Sequence, residues 1–148
     1  MFGAALFCLG CGSKGAVALT ATIANARVSV EAGALGTRLA GRFDLVLEVG
    51  SEASDSTSVT LETFGLERGP TVLKSPIDVA PDGNVTFPVT VGIGARREIP
   101  FTLEDLADIT EVEAICGGRL RVVGVIRDTL GGDKPTGITS VEISPGGC

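Results

Sequence analysis

The sequence predicts an all-β fold, an antiparallel sandwich of two sheets, and three observations carry that expectation. In Gly118–Thr129, Leu120, Val122, Gly124 and Ile126 fall on one face at period two, with Arg119, Arg121, Val123, Val125 and Arg127 on the other. A second run, Leu39–Val49, sets Phe43, Leu45, Leu47 and Val49 against Arg42, Asp44, Val46 and Glu48. Turn chemistry separates such runs, most plainly at Pro81-Asp82-Gly83-Asn84, and the chain holds 21 glycines.

Composition fits one globular domain. With 148 residues, 44% hydrophobic and 20% charged, the chain is long enough to bury roughly 70% of the surface its unfolded form exposes. The net charge of -6 and the scatter of its 12 basic residues speak against nucleic acid as a partner. There is no His, Trp or Tyr. The commonest general base and transition-metal ligand are therefore missing, as are the ring faces that stack on sugars or bases.

Taken in order, Val17, Leu19, Ala21 and Ile23 predict a first strand, and Val28 and Val30 a short second one after Asn25-Ala26-Arg27. Leu39–Val49 is the clearest amphipathic strand. Ser51–Ser58 reads as a polar hairpin connection; its acids lack the spacing and central Gly of a calcium loop. Val59, Leu61 and Thr63 open another strand running through Phe64 and Leu66. Pro70–Val79 is expected at an edge, because Pro76 cannot donate to a ladder.

Val85, Phe87, Val89, Val91 and Ile93 alternate with Thr86, Pro88 and Thr90, predicting a strand with an outward Pro88. Thr102-Leu103-Glu104-Asp105 reads as a helix start capped by Thr102, so one short helix is expected over residues 103–110. The acids from Glu104 to Glu113 are read as its solvated face. Val112, Ala114 and Cys116 lead into the central strand, and Ile138–Ser144 is a last strand before Pro145-Gly146-Gly147-Cys148.

Met1–Ser13 carries no charge and reads Met-Phe-Gly-Ala-Ala-Leu-Phe-Cys-Leu-Gly-Cys-Gly-Ser. It resembles the end of a bacterial lipoprotein signal peptide, in which an apolar run leads to a small residue and then an acylated Cys. The resemblance implies a signal remnant over residues 1–10, lipidation of Cys11, a tether over residues 11–15 and a single domain over residues 16–148. It also implies an envelope location, on the periplasmic face or the cell surface, and a membrane contact through the lipid. Gly10, Gly12 and Gly15 match G-x-G-x-x-G, but no strand–turn–helix context accompanies them.

Under that cleavage Cys8 leaves with the leader, Cys11 takes lipid, and Cys116 and Cys148 remain as a pair suited to an oxidising compartment. A Cys116–Cys148 bridge would close a loop of about thirty residues and contribute roughly 3 to 4 kcal/mol. The alternative is an intermolecular bond through Cys148.

Roughly seven to nine short strands, about eight to twelve residues apart, make the architecture similar to immunoglobulin-like or fibronectin type III-like domains. An eight-stranded barrel is the alternative fold. No catalytic residue, metal ligand or cofactor site emerges; neither Lys74 nor Lys134 has a serine three residues before it. The expected function is a non-catalytic binding or assembly module for another envelope protein. The apolar Val123 and Val125 between Arg121 and Arg127 form its candidate partner patch. The alternatives are a structural subunit of a larger envelope assembly and a carboxylate-based hydrolase.

Overall fold

In this computed structural model residues 18–148 are described, and they form two antiparallel sheets that pack face to face without closing into a barrel. The signal remnant, Cys11 and the whole tether lie outside the described residues. The first sheet runs β1-β2-β7-β5, from Leu19–Gly33 (β1), Gly36–Val49 (β2), Arg96–Ala107 (β7) and Val79–Pro81 (β5). The second runs β4-β3-β8-β9, from Thr71–Lys74 (β4), Thr57–Arg68 (β3), Arg121–Asp128 (β8) and Thr136–Thr139 (β9). A three-residue strand, Val89–Val91 (β6), pairs with the start of β3. In immunoglobulin lettering this is A-B-E-D over C′-C-F-G, the Greek-key sandwich order.

The alternation read from the sequence is the alternation observed. Along β8, Val122, Gly124, Ile126 and Asp128 are buried, while Arg121, Val123, Val125 and Arg127 are half-exposed on the outer face. Leu47 and Val122 have no exposed surface. Phe43 lies with its ring centroid 5.1 Å from both Phe64 and Phe101, so the core is an aromatic cluster spanning both sheets. Phe87 adds a fourth ring, 5.9 Å from Phe101.

Several expected boundaries are corrected. The two strands expected around Asn25 are one, β1, whose pairing with β2 slips between Ala24 and Arg27. Asn25 takes φ 53° there, and the extra residue is absorbed as a β-bulge. The Pro70–Val79 edge segment divides into β4, on the edge of one sheet, and β5, on the edge of the other. Val85–Ile93 yields only β6, because Pro88 has no N–H to offer and Phe87 turns into the aromatic core.

The helix expected over residues 103–110 is displaced. Thr102, Leu103 and their neighbours continue β7 to Ala107, since Ile99, Phe101 and Leu103 are all buried at period two. Helix α1 is Ile109–Ile115, and its N-cap is Asp108 instead of Thr102. Asp108 accepts from the Glu111 N–H at 2.8 Å, and the Glu111 carboxylate accepts from the Asp108 N–H at 3.2 Å. Val112, Ala114 and Cys116 therefore belong to this helix and its C-cap, not to a strand. The last strand stops at Thr139, and only Ile143 returns to the sheet, bridging to Leu120.

Candidate functional site

The outer face of β3, β8 and β9 carries the candidate site, and pairing register explains its shape. Val123 lies between Gly65 on β3 and Thr139 on β9; Val125 lies between Thr63 and Gly137. A glycine beside each valine removes one wall of side chain, leaving a trough of about 430 Å³ with the two valines on its floor. Glu67, Ser75 and Arg121 also line it.

The two glycines differ in why they are there. A Cβ on Gly65 would sit 3.1 Å from the Lys74 carbonyl and the Ser75 side chain, where the chain leaves β4 and crosses the sheet. A side chain there would need the Lys74–Ser75 backbone to give by a few tenths of an ångström. A Cβ on Gly137 would meet nothing within 4 Å among the described residues, and its φ lies outside the left-handed range. Neither crowding nor backbone conformation calls for glycine there. A glycine inside a strand weakens the strand and often marks a place where a ligand or another backbone comes close.

Of the four residues expected to form a partner patch, the structure places three in the trough and leaves the fourth outside it. Arg121, Val123 and Val125 line the trough. Arg127 is held elsewhere, donating to Glu62 Oε1 at 2.9 Å and to the Asp133 carbonyl at 2.6 Å. Arg121 is the less satisfied of the two: Nη2 makes one long contact, 3.4 Å to the Gly69 carbonyl, and Nε is buried without an acceptor. Glu67 is its cross-strand neighbour, yet among the described residues Arg121 belongs to no ion pair, whereas Arg38, Arg42, Lys74, Arg96 and Arg127 each hold a carboxylate.

Three other polar groupings serve the fold. Arg68, projecting from the end of β3, donates to the carbonyls of Ala114, Ile115, Gly118 and Arg119 at 2.7 to 3.1 Å. Helix α1 has no basic residue in its own last turn, so this one guanidinium supplies the cationic donor there, reaching Ala114 and Ile115 at the helix end and Gly118 and Arg119 in the turn beyond it. Asp128 is buried between the loops at the other end, accepting from Thr57 Oγ1 and the Gly131 N–H, each at 3.0 Å. Lys74 joins β4 to α1 through Glu111, 3.1 Å away, with Asp105 at 4.0 Å.

Cys116 and Cys148 form a disulfide with Cα atoms 5.7 Å apart, tying the C-cap of α1 to the chain end. The tail approaches alongside β1, where the Val30 N–H donates to the Gly146 carbonyl and the Gly146 N–H to the Val28 carbonyl, each at 2.9 Å. Among the described residues no three Cys, Asp or Glu side chains converge as a metal site would require, and no helix is long and apolar enough to cross a membrane. Comparison with protein-family models, with curated proteins and with solved structures finds no match to this chain.

Proposed function

We propose that the protein is a non-catalytic, lipid-tethered module of the bacterial envelope that holds another envelope protein against the trough on β3, β8 and β9. The observation that carries this reading is Gly137, a strand glycine that neither packing nor backbone conformation accounts for, beside an apolar floor. An unfilled strand position is useful where something else fills it. The trough offers two valines, one guanidinium, one carboxylate and the hydroxyls of Thr63, Ser75 and Thr139, a complement suited to gripping an extended segment.

A tether fits this geometry. The chain enters through Ala18 and β1, which belongs to the opposite sheet. The first residues of β1 share a groove with Thr136, Gly137 and Ile138, so a lipid on Cys11 would set the β9 end of the trough towards the membrane. The oxidising side of the membrane also suits the Cys116–Cys148 bridge.

Two measurements in the native cell test the reading. Mass spectrometry of the detergent-extracted protein is expected to find an acylated N-terminus at Cys11, and Cys11→Ser to release it; an intact Met1 on unmodified protein would refute the tether. A photo-crosslinking residue at Thr139 is expected to capture a discrete envelope protein, and one at Thr22, on the other sheet, to capture none. Equal labelling from both positions, or adduct from neither, would refute the trough as the binding face.

A further inference from the structure

We infer that a second copy of this chain adds to the open edge of β1, the stretch Leu19–Ala24 of each copy pairing antiparallel with the other about a two-fold axis at Ala21. Register shows which backbone groups face out. The Gly50 N–H donates to the Ala18 carbonyl at 3.1 Å, while the Val49 N–H turns the other way, to the Ala95 carbonyl. Pairing with β2 continues from there, Thr20 on Glu48 and Thr22 on Val46. Thr20, Thr22 and Ala24 therefore exchange bonds with β2, and Leu19, Ala21 and Ile23 point theirs away from it.

Further along β1 the Val28 carbonyl and the Val30 N–H also point outward, and both meet Gly146. Among the described residues no backbone or side-chain group meets those of Leu19, Ala21 and Ile23. A bulge and the disulfide-held tail occupy the other half of β1, and the remaining edge strands are only three or four residues long. Leu19–Ala24 carries no charge and no proline, and a groove of about 530 Å³ runs between its first residues and β9. An uncharged edge with free N–H and C=O groups is a template for another strand.

The occupant follows from the side chains. Ala18-Leu19-Thr20-Ala21-Thr22-Ile23-Ala24 keeps its pattern when reversed, aliphatic for aliphatic and Thr for Thr about Ala21. In an antiparallel pair centred on Ala21, Leu19 of one copy opposes Ile23 of the other and Thr20 opposes Thr22. Every outward N–H and C=O then finds its complement, in about six hydrogen bonds. The same patch serves both copies, so the contact closes at a dimer.

Sedimentation velocity of the full chain in detergent is expected to show a dimer with a Kd on the order of 10 µM. Thr20 and Thr22 are exposed, so charging them should leave the melting of the fold unchanged. Thr20→Lys with Thr22→Lys sets like charges opposite each other and should weaken the dimer about ten-fold. Thr20→Lys with Thr22→Glu sets opposite charges there and should restore it. Ala21→Pro, which removes only an outward N–H, should also weaken it. In hydrogen exchange the amides of Leu19, Ala21 and Ile23 should lose protection on dilution. A photo-crosslinking residue at Thr22 should join two copies of this chain and no other protein, which keeps this contact apart from the partner held in the trough.

A monomer at every concentration, or a dimer that the two lysines leave intact, would overturn the inference. Loss of the dimer in both charged pairs would do so too, because Thr20 would then not face Thr22. Protection of the three amides that persisted on dilution would mean that the edge is covered from within one chain, and would overturn it as well.

Discussion

Gly124 on β8 lies directly opposite Phe64 on β3, and a Cβ placed on it would fall 2.6 Å from the Phe64 ring. The central strand of the second sheet therefore carries a glycine so that one ring of the aromatic core can lie over it. This is the reverse of Gly137, which nothing crowds.

Substitution separates the two glycines. Gly124→Ala should destabilise the fold by about 1 to 3 kcal/mol, because Phe64 and Ile138 are the atoms that must move and both are buried. Gly137→Val should leave stability unchanged or raise it by a few tenths to about 1 kcal/mol, by lowering unfolded-state entropy and favouring the strand. Urea denaturation of both variants checks the pair. Equal losses would mean that the space over Gly137 is filled in the folded protein.

This contrast marks where sequence reading succeeds and where it stops. Period two on β8 is legible because the strand has one wet face, so buried and exposed residues alternate in the chain itself, whereas on β2 Val46, set on the polar face by its spacing, is buried. The sequence misplaces the helix because Leu103, Leu106 and Ile109 have helical spacing, whereas in the structure Leu103 is buried and Leu106 and Ile109 are exposed. The decisive signal was the capping pair Asp108 and Glu111, two acids three residues apart at the actual start. Cys116 and Cys148, paired in the structure, are the pair that the expected lipoprotein leader would leave in the sequence. The trough was not, because its shape comes from Gly65 and Gly137, each standing beside a valine from another strand. Only register reveals that. A glycine within Thr136–Thr139 was the available hint.

The register of the core can be tested at two positions from facing sheets. Leu47 on β2 and Val122 on β8 are both fully buried. Leu47→Ala should cost about 2 to 5 kcal/mol through the cavity it leaves. Val122→Asp should prevent folding at neutral pH, because no cation lies within the cluster around it to receive a buried carboxylate. Thermal melting followed by circular dichroism measures both, and a wild-type transition in either would contradict the burial.

Arg68 makes a prediction that surface charge alone would not. Its four carbonyl contacts reach across from β3 to the end of α1 and the turn beyond it. Arg68→Ala removes a charged donor from four carbonyls, of which Ala114 keeps the Gly117 N–H, and should cost about 1.5 to 3 kcal/mol. Arg68→Lys should recover less than half of that, since an ammonium cannot reproduce a planar fork aimed at separate carbonyls. Full rescue by lysine in chemical denaturation would reduce the role of Arg68 to charge near a helix end.

The last prediction concerns what the disulfide holds in place. Cys116 and Cys148 are 32 residues apart, so cross-linking them removes unfolded-chain entropy worth roughly 3 to 4 kcal/mol. Cys148→Ser should lower stability by about that amount. It should also act locally, because the tail beyond Ile143 meets β1 only through the Gly146 bonds to Val28 and Val30. Two backbone hydrogen bonds are few to keep a segment closed once the bridge is gone. In native-state hydrogen exchange the amides of Val30 and Gly146 should therefore lose protection in Cys148→Ser, while Val122 and Phe64 in the core exchange only through global opening. If Val30 and Gly146 stayed protected to the level of the core, the tail would be held by its own pairing with β1. The bridge would then contribute through the unfolded chain alone.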